Sequence, residues 1–249
     1  MTSSAAQQRL GHTLRHLQPA VAAAYPDPAS DGLPLWDGPA PDSSDGGEFQ
    51  PSLDVRLCEA STPCGAVLIM PGGGYGGRAT DHEGYQIAER CNAAGFHAFN
   101  LQYRVAPNVH PAPLLDASRG IRLIRSHAAE WPVNPDQIAV LGFSAGGYLA
   151  ASISTLHHKC TFPEQDDLAA TTSNRPDATI LCYPVISSGE FAHQGSFNNL
   201  LGTDATGEQK EAFSLEKQVD EQTATCFVSR AQPGRFVFMS CTVRTLRIF

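Results

Sequence analysis

The stretch VLGFSAGGYLAAS, residues 140–152, sets Ser144 between Gly142 and Gly146, after an apolar run and before a run of small residues. An apolar strand, a glycine-flanked serine and a small-faced helix together make the turn that lifts a nucleophilic hydroxyl off a sheet. GxSxG alone carries little weight in a chain rich in glycine and serine; its place between a strand and a helix gives it weight here. The bland alternative is a serine that caps an ordinary helix after a βα loop. A serine hydroxyl is nearly inert at neutral pH until a base takes its proton, so the reading also demands a partner.

Working outward, apolar runs alternate with helical stretches. Strands are expected at 54–58, 66–70, 97–103, 137–143 and 178–187, and helices at 83–95, 114–131 and 145–155. Strands apolar on both faces, alternating with helices, predict a mostly parallel sheet flanked by helices, an α/β fold. Leu10, Leu14, Leu17 and Val21 recur at helical spacing, so an amphipathic helix should open the chain. From Tyr25 to Ser52 the text is rich in Pro, Gly, Asp and Ser and reads as an extended linker or surface arm. Three parts follow: 1–34 as helix and linker, 35–228 as an incomplete hydrolase-type domain, and 229–249 as an atypical tail.

Composition narrows the classes. Of the 249 residues, 42% are hydrophobic and 17% charged, which describes a globular chain with ample core. A formal net charge of −8 argues against nucleic acid and anionic membrane as partners. The seven cysteines show no CxxC pair and no metal-ligand spacing, so reduced thiols, no metal and no cofactor are expected. No signal-peptide core or bilayer-spanning run is present in the text, which points to a cytoplasmic protein.

A second glycine stretch, MPGGGYGG at 70–77, follows the strand at 66–70. Acyl transfer builds negative charge on a carbonyl oxygen, and backbone N–H groups aimed at that oxygen stabilise it. The amides of Gly73, Gly74 and Ala145 are the candidates. The alternative is a phosphate-binding loop, but no Lys-Ser/Thr follows the glycines and their spacing departs from GxGxxG.

These motifs resemble those of α/β-hydrolase esterases related to hormone-sensitive lipase and to carbohydrate acetyl esterases. The similar text includes LPLWDGPAPDS, PGGGYGG, DHEGYQIAERCNAAGFHAFNLQYRVAP, VNPDQIAVLGFSAGGYLAA and YPVISSGEFAHQGSFNNLLG, from about Leu33 to Phe227. The resemblance implies Ser144 as nucleophile, Gly72–Gly74 as oxyanion loop, and YRVAP as a structural turn beneath the site. It places residues 187–202 in the wall over the substrate pocket. His82 and Glu83 read as local hydrogen-bonding support, with pocket contact as the other option; Tyr75, His82, Glu190 and His193 are the candidate pocket residues.

In this fold an Asp or Glu and then a His follow the nucleophile in the chain. Here no histidine follows His193 and no acid follows Glu221. From Gln222 on, four arginines are the only charged side chains, a break in composition that suggests a shifted reading frame or a chimeric gene end. The C-terminal strand and histidine loop of the fold are therefore expected to be missing. The β-prone run 235–243 could pair at the exposed edge, with a poorly packed segment from about Ser229 and self-association as consequences. Glu190 and His193 are a poor substitute pair, three residues apart; His157 and His158 read as surface residues at the far end of the elbow helix. Two functions remain: a carboxylic ester hydrolase by descent, acting on a small-molecule acyl ester with impaired turnover, or a non-catalytic ligand-binding protein of the same fold. A serine peptidase of related type would need a further domain.

Overall fold

The computed structural model describes residues 32–159, 168–190, 192–232 and 235–241. The amphipathic helix expected near the N-terminus lies outside the described residues. Eight strands form one sheet: β1 (Leu33–Pro34), β2 (Ser52–Arg56), β3 (Cys64–Met70), β4 (His97–Gln102), β5 (Val133–Phe143), β6 (Ala178–Cys182), β7 (Thr225–Gln232) and β8 (Arg235–Cys241). Their order is β1-β2-β4-β3-β5-β6-β7-β8. The five strands from β4 to β7 are parallel, whereas β1–β2, β2–β4 and β7–β8 pair antiparallel. The helices are α1 (Gln86–Ala93), α2 (Ala112–Ser126), α3 (Ser144–Leu156), α4 (Gln194–Leu201) and α5 (Gly207–Ala212). This is the expected α/β architecture. Among the described residues no helix is long and apolar enough to cross a membrane.

The sheet shows why its strands read as unbroken apolar runs. On β3, Leu68 and Met70 pack into the larger core with α2 and α3, while Val67 and Ile69 face a second cluster with Ala88 of α1. Alternate residues serve opposite faces, and both faces are covered.

Three boundaries differ from the sequence expectation. The helix expected over 114–131 ends at Ser126 with His127 as its C-cap, and residues 127–131 form turns in which the His127 carbonyl accepts from the amides of Glu130 and Trp131. The apolar run 178–187 is a strand only to Cys182; Tyr183 adopts φ +38° and Pro184 has no N–H for a ladder. The supposed linker from Gly32 to Ser52 is packed. Leu33–Pro34 pairs with β2, and Leu35 and Trp36 are buried. At the other edge, Arg235–Cys241 pairs with β7 from Cys226 to Gln232. The run that could pair at this edge does so.

A buried ion pair fastens these parts. Arg104 and Asp116 have fully buried side chains. Asp116 accepts from the Arg104 Nε at 2.9 Å and Nη2 at 2.8 Å, from the Arg104 backbone N–H at 2.9 Å and from Trp36 Nε1 at 3.2 Å. Arg104 also donates to the Pro41 carbonyl, to Ser43 Oγ and to the Ala112 carbonyl. One contact set thus joins the arm, the YRVAP turn and α2. Removing one partner strands a buried charge, a loss of about 3–5 kcal/mol. Asp116→Ala is therefore expected to lower the melting temperature by on the order of 10 °C, read by a thermal scan. An unchanged melting temperature would refute this role.

Candidate functional site

The site begins where β5 ends. Phe143 is extended, with φ −115° and ψ 135°, and Ser144 then adopts φ +51° as the first residue of α3. An L-residue in the left-handed region stores on the order of 1–3 kcal/mol, so the surroundings must hold it there. They do so by close backbone contact. A Cβ on Gly146 would overlap the carbonyl oxygens of Met70 and Pro71, and one on Gly142 would overlap the Gly146 carbonyl. Only glycine fits at either position, so the end of β3 and the first turn of α3 touch through backbone alone.

The same contact brings the loop after β3 against the serine. A Cβ on Gly72 would sit 3.0 Å from the Ser144 Cβ. Gly73, Gly74 and Tyr75 follow with φ of 135°, 63° and 58°. The Gly73 carbonyl accepts from the amides of Gly76 and Gly77, and the Gly72 carbonyl from that of Ala79. Among the described residues the Gly73 and Gly74 amides donate to no acceptor. The Ala145 amide lies in the first turn of α3, where an N–H has no partner within the helix.

Side chains pin this loop from several elements. Glu83 accepts the Gly72 amide at 2.6 Å and the Tyr183 hydroxyl at 2.7 Å. Tyr103 donates to the Pro71 carbonyl at 2.5 Å, and Asn199 of α4 to the Gly74 carbonyl at 2.9 Å. Burial pushes the Tyr103 phenol well above the usual range; burial and then Glu83 do the same for Tyr183, so both remain donors. Glu83 has the supporting role read for it. Tyr183 and Asn199 were missed, because Tyr183 reaches Glu83 and Asn199 reaches the loop across long sequence separations that no local motif marks.

The other candidates scatter. Tyr75 is buried, edge-on to Tyr103 and Tyr148. It lines a cavity of about 10 Å³, room for roughly one water, together with His110, Tyr148 and Phe213. His82 is exposed on the helical turn Asp81–Tyr85, and Glu190 is exposed before α4; neither side chain hydrogen-bonds another described residue. His193 caps α4: its Nδ1 accepts from the Ser196 amide at 3.2 Å and lies 2.9 Å from the Ser196 Oγ. Among the described residues nothing hydrogen-bonds the Ser144 hydroxyl. One reading needs correction: His157, expected at the surface, is buried with its Nδ1 3.3 Å from the Ser154 carbonyl, while His158 pairs with Asp220 at 3.2 Å.

With this geometry in place, similar proteins can be compared. A protein-family profile described as BD-FAE matches residues 53–241. Over 193 residues the chain is 35% identical to endo-1,4-beta-xylanase B of Butyrivibrio fibrisolvens, covering 76% of this chain and 30% of that protein. It is also 35% identical over 146 residues to an acetylxylan esterase of Xylanibacter ruminicola, covering 58% of this chain and 28% of that one. The chain therefore spans less than a third of these curated relatives. A solved structure, the acetyl ester-xyloside bifunctional hydrolase of Caldicellulosiruptor lactoaceticus, superposes with a TM-score of 0.74 at 39% identity, covering 80% of this chain and 73% of that one.

The contact at Gly146 yields a paired test. Gly146→Ala, whose methyl meets two carbonyls, should cost about 3 kcal/mol or more in denaturant unfolding. Gly77→Ala, with open space around the added carbon, should stay within about 0.5 kcal/mol of the parent. Equal effects would mean that the close approach does not hold the turn.

Proposed function

The chain belongs to the BD-FAE family and has the α/β-hydrolase fold, and from that premise we propose that it is a carboxylic ester hydrolase by descent. Its substrates would be short acyl esters, sugar acetyl esters among them, cleaved through an acyl-Ser144 intermediate. The observation that carries the reading is the pairing of a left-handed Ser144 with the unengaged Gly73 and Gly74 amides beside Gly72. The names of the relatives, an acetylxylan esterase and an acetyl ester-xyloside hydrolase, favour acetyl groups on a xylan-type alcohol.

In the proposed reaction Ser144 Oγ attacks the ester carbonyl, and the oxyanion lies against the amides of Gly73, Gly74 and Ala145. The alcohol leaves with a proton, and water then attacks the acyl-serine to release the acid and restore the hydroxyl. Among the described residues no histidine hydrogen-bonds the Ser144 hydroxyl, so within this set water would accept the proton that a triad manages and slow turnover is the expectation. Oxyanion stabilisation and binding alone leave about 10³–10⁴-fold acceleration over water.

Steady-state hydrolysis of an activated acetyl ester by the 249-residue chain tests this directly. The expected result is a slow rate, far below the roughly 10 s⁻¹ of ordinary enzymes, that falls further in Ser144→Ala. A rate near 10 s⁻¹ that Ser144→Ala abolishes would mean that a base serves the hydroxyl and would overturn the impairment. Binding of acetylated xylo-oligosaccharide with equal, background-level hydrolysis by parent and variant would favour the non-catalytic ligand-binding reading.

A further inference from the structure

At the opposite end of the sheet, three side chains remote in sequence meet. Cys64 is the first residue of β3 and His97 the first of β4, while Cys58 lies just past the end of β2. Because β4 sits between β2 and β3, the connection from Cys58 to Cys64 passes beneath His97. β3 pairs with β5 from Cys64 at one end to Met70–Gly142 at the other, so the cluster lies about 20 Å from Ser144 at strand spacing.

The cluster has the dimensions of a metal site. The Cys58 and Cys64 sulfurs are 3.6 Å apart, and Cys58 Sγ is 3.4 Å from His97 Nδ1. All three ligand atoms lie within 4.8 Å of one another. A tetrahedral ion with bonds of about 2.3 Å to sulfur and about 2.0 Å to nitrogen sets S···S edges near 3.8 Å and S···N edges near 3.5 Å. A disulfide, by contrast, holds its sulfurs at about 2.05 Å.

The surroundings independently favour a ligand. His97 is 1% exposed, and its Nδ1 faces the two sulfurs. Its Nε2 lies 3.2 Å from the Pro132 carbonyl, to which it donates, since Nδ1 accepts from the Cys58 amide. A metal-bound histidine almost always gives its other N–H to such an acceptor. The same Pro132 carbonyl accepts from the Cys64 amide at 3.0 Å, and a register shift between Cys64 and Ala66 re-aims Cys64 relative to the rest of β3. Both cysteines are half-buried, and residues 59–63 beside them are exposed, which leaves an entry route and a fourth position open to water.

We propose that Cys58, Cys64 and His97 form a site for a thiophilic divalent cation of the zinc type, apart from the esterase site. The ion would replace the Cys58 amide at His97 Nδ1, a small adjustment in a residue outside the strands. It would clasp the ends of β2, β3 and β4 together, a structural task that does not depend on the fate of Ser144.

Cobalt provides the probe. The full chain, reduced and stripped of metal with a chelator, is titrated with Co²⁺ and followed by absorbance. The expected result is a thiolate-to-cobalt charge-transfer band that saturates at one ion per chain and is displaced by Zn²⁺, which binds more tightly than Co²⁺. Cys58→Ser and Cys64→Ser, each checked for folding by circular dichroism, should weaken binding by more than the about 10–100-fold that loss of an outer-shell partner costs. Cys91→Ser, at another half-buried cysteine, should leave binding unchanged. The proposal fails if the folded, reduced chain gives no such band, or if the band survives in Cys58→Ser. It also fails if the chain binds no ion but glutathione disulfide converts Cys58 and Cys64 to a bridge with the loss of two hydrogens; the cluster would then be a redox pair.

Discussion

Backbone pressed against backbone, where β3 meets the first turn of α3, is the constraint from which the rest of the site follows. The Met70 and Pro71 carbonyls occupy the space in which a Gly146 side chain would lie. Helix α3 can begin there only if the chain turns sharply at its first residue, and the left-handed Ser144 is that turn. The loop from Pro71 to Gly77 is then held against the serine, so close that a Cβ on Gly72 would sit 3.0 Å from the Ser144 Cβ. Side chains from the turn before α1, from just after β4 and from α4 each hold one part of that loop, and the residue after β6 braces the first of them, Glu83. The strain at one residue is thus borne by four segments that share no local sequence.

Much of this was legible in the sequence, and the reason is physical. Parallel strands covered on both faces are apolar at most positions, so β3, β6 and the 138–143 part of β5 announce themselves, and β4 does so through Ala98, Phe99 and Leu101. Glycine is obligatory where backbones touch, so Gly142, Gly146 and the Gly72–Gly74 run mark the turn and its neighbouring loop. What was not legible depends on topology. The Tyr183–Glu83 and Asn199–Gly74 bonds span 100 and 125 residues, and no spacing rule reaches that far. The cysteines failed the spacing test for the same reason: Cys58, Cys64 and His97 become neighbours only because β4 inserts between the strands that flank it.

The arm before β2 shows the opposite error, in which composition misleads. Residues rich in Pro, Gly, Asp and Ser read as solvated linker because they cannot form a periodic element. Here Trp36 is buried with its indole N–H on Asp116, and Arg119 donates to the Leu35 carbonyl at 2.8 Å. Further along, Asn108 both accepts from the Ser44 amide and donates to Asp45. An irregular segment can be ordered when charged and amide side chains from regular elements satisfy its backbone. Sequence composition shows the donors and acceptors of such a segment but not their partners.

The order of the strands also bears on how the chain reaches this state. β7 and β8, like β1 and β2, pair antiparallel between segments that lie close in the chain. β3 and β5 are different: Met70 pairs opposite Gly142, and that long closure must be made before its contacts stabilise anything. The turn at Ser144 has no support until those two strands lie side by side. In a chain that has collapsed without joining β3 to β5, Ser144 is free to relax into ordinary helical geometry. The left-handed conformation of Ser144 is consequently supported only in a chain in which β3 and β5 are already joined.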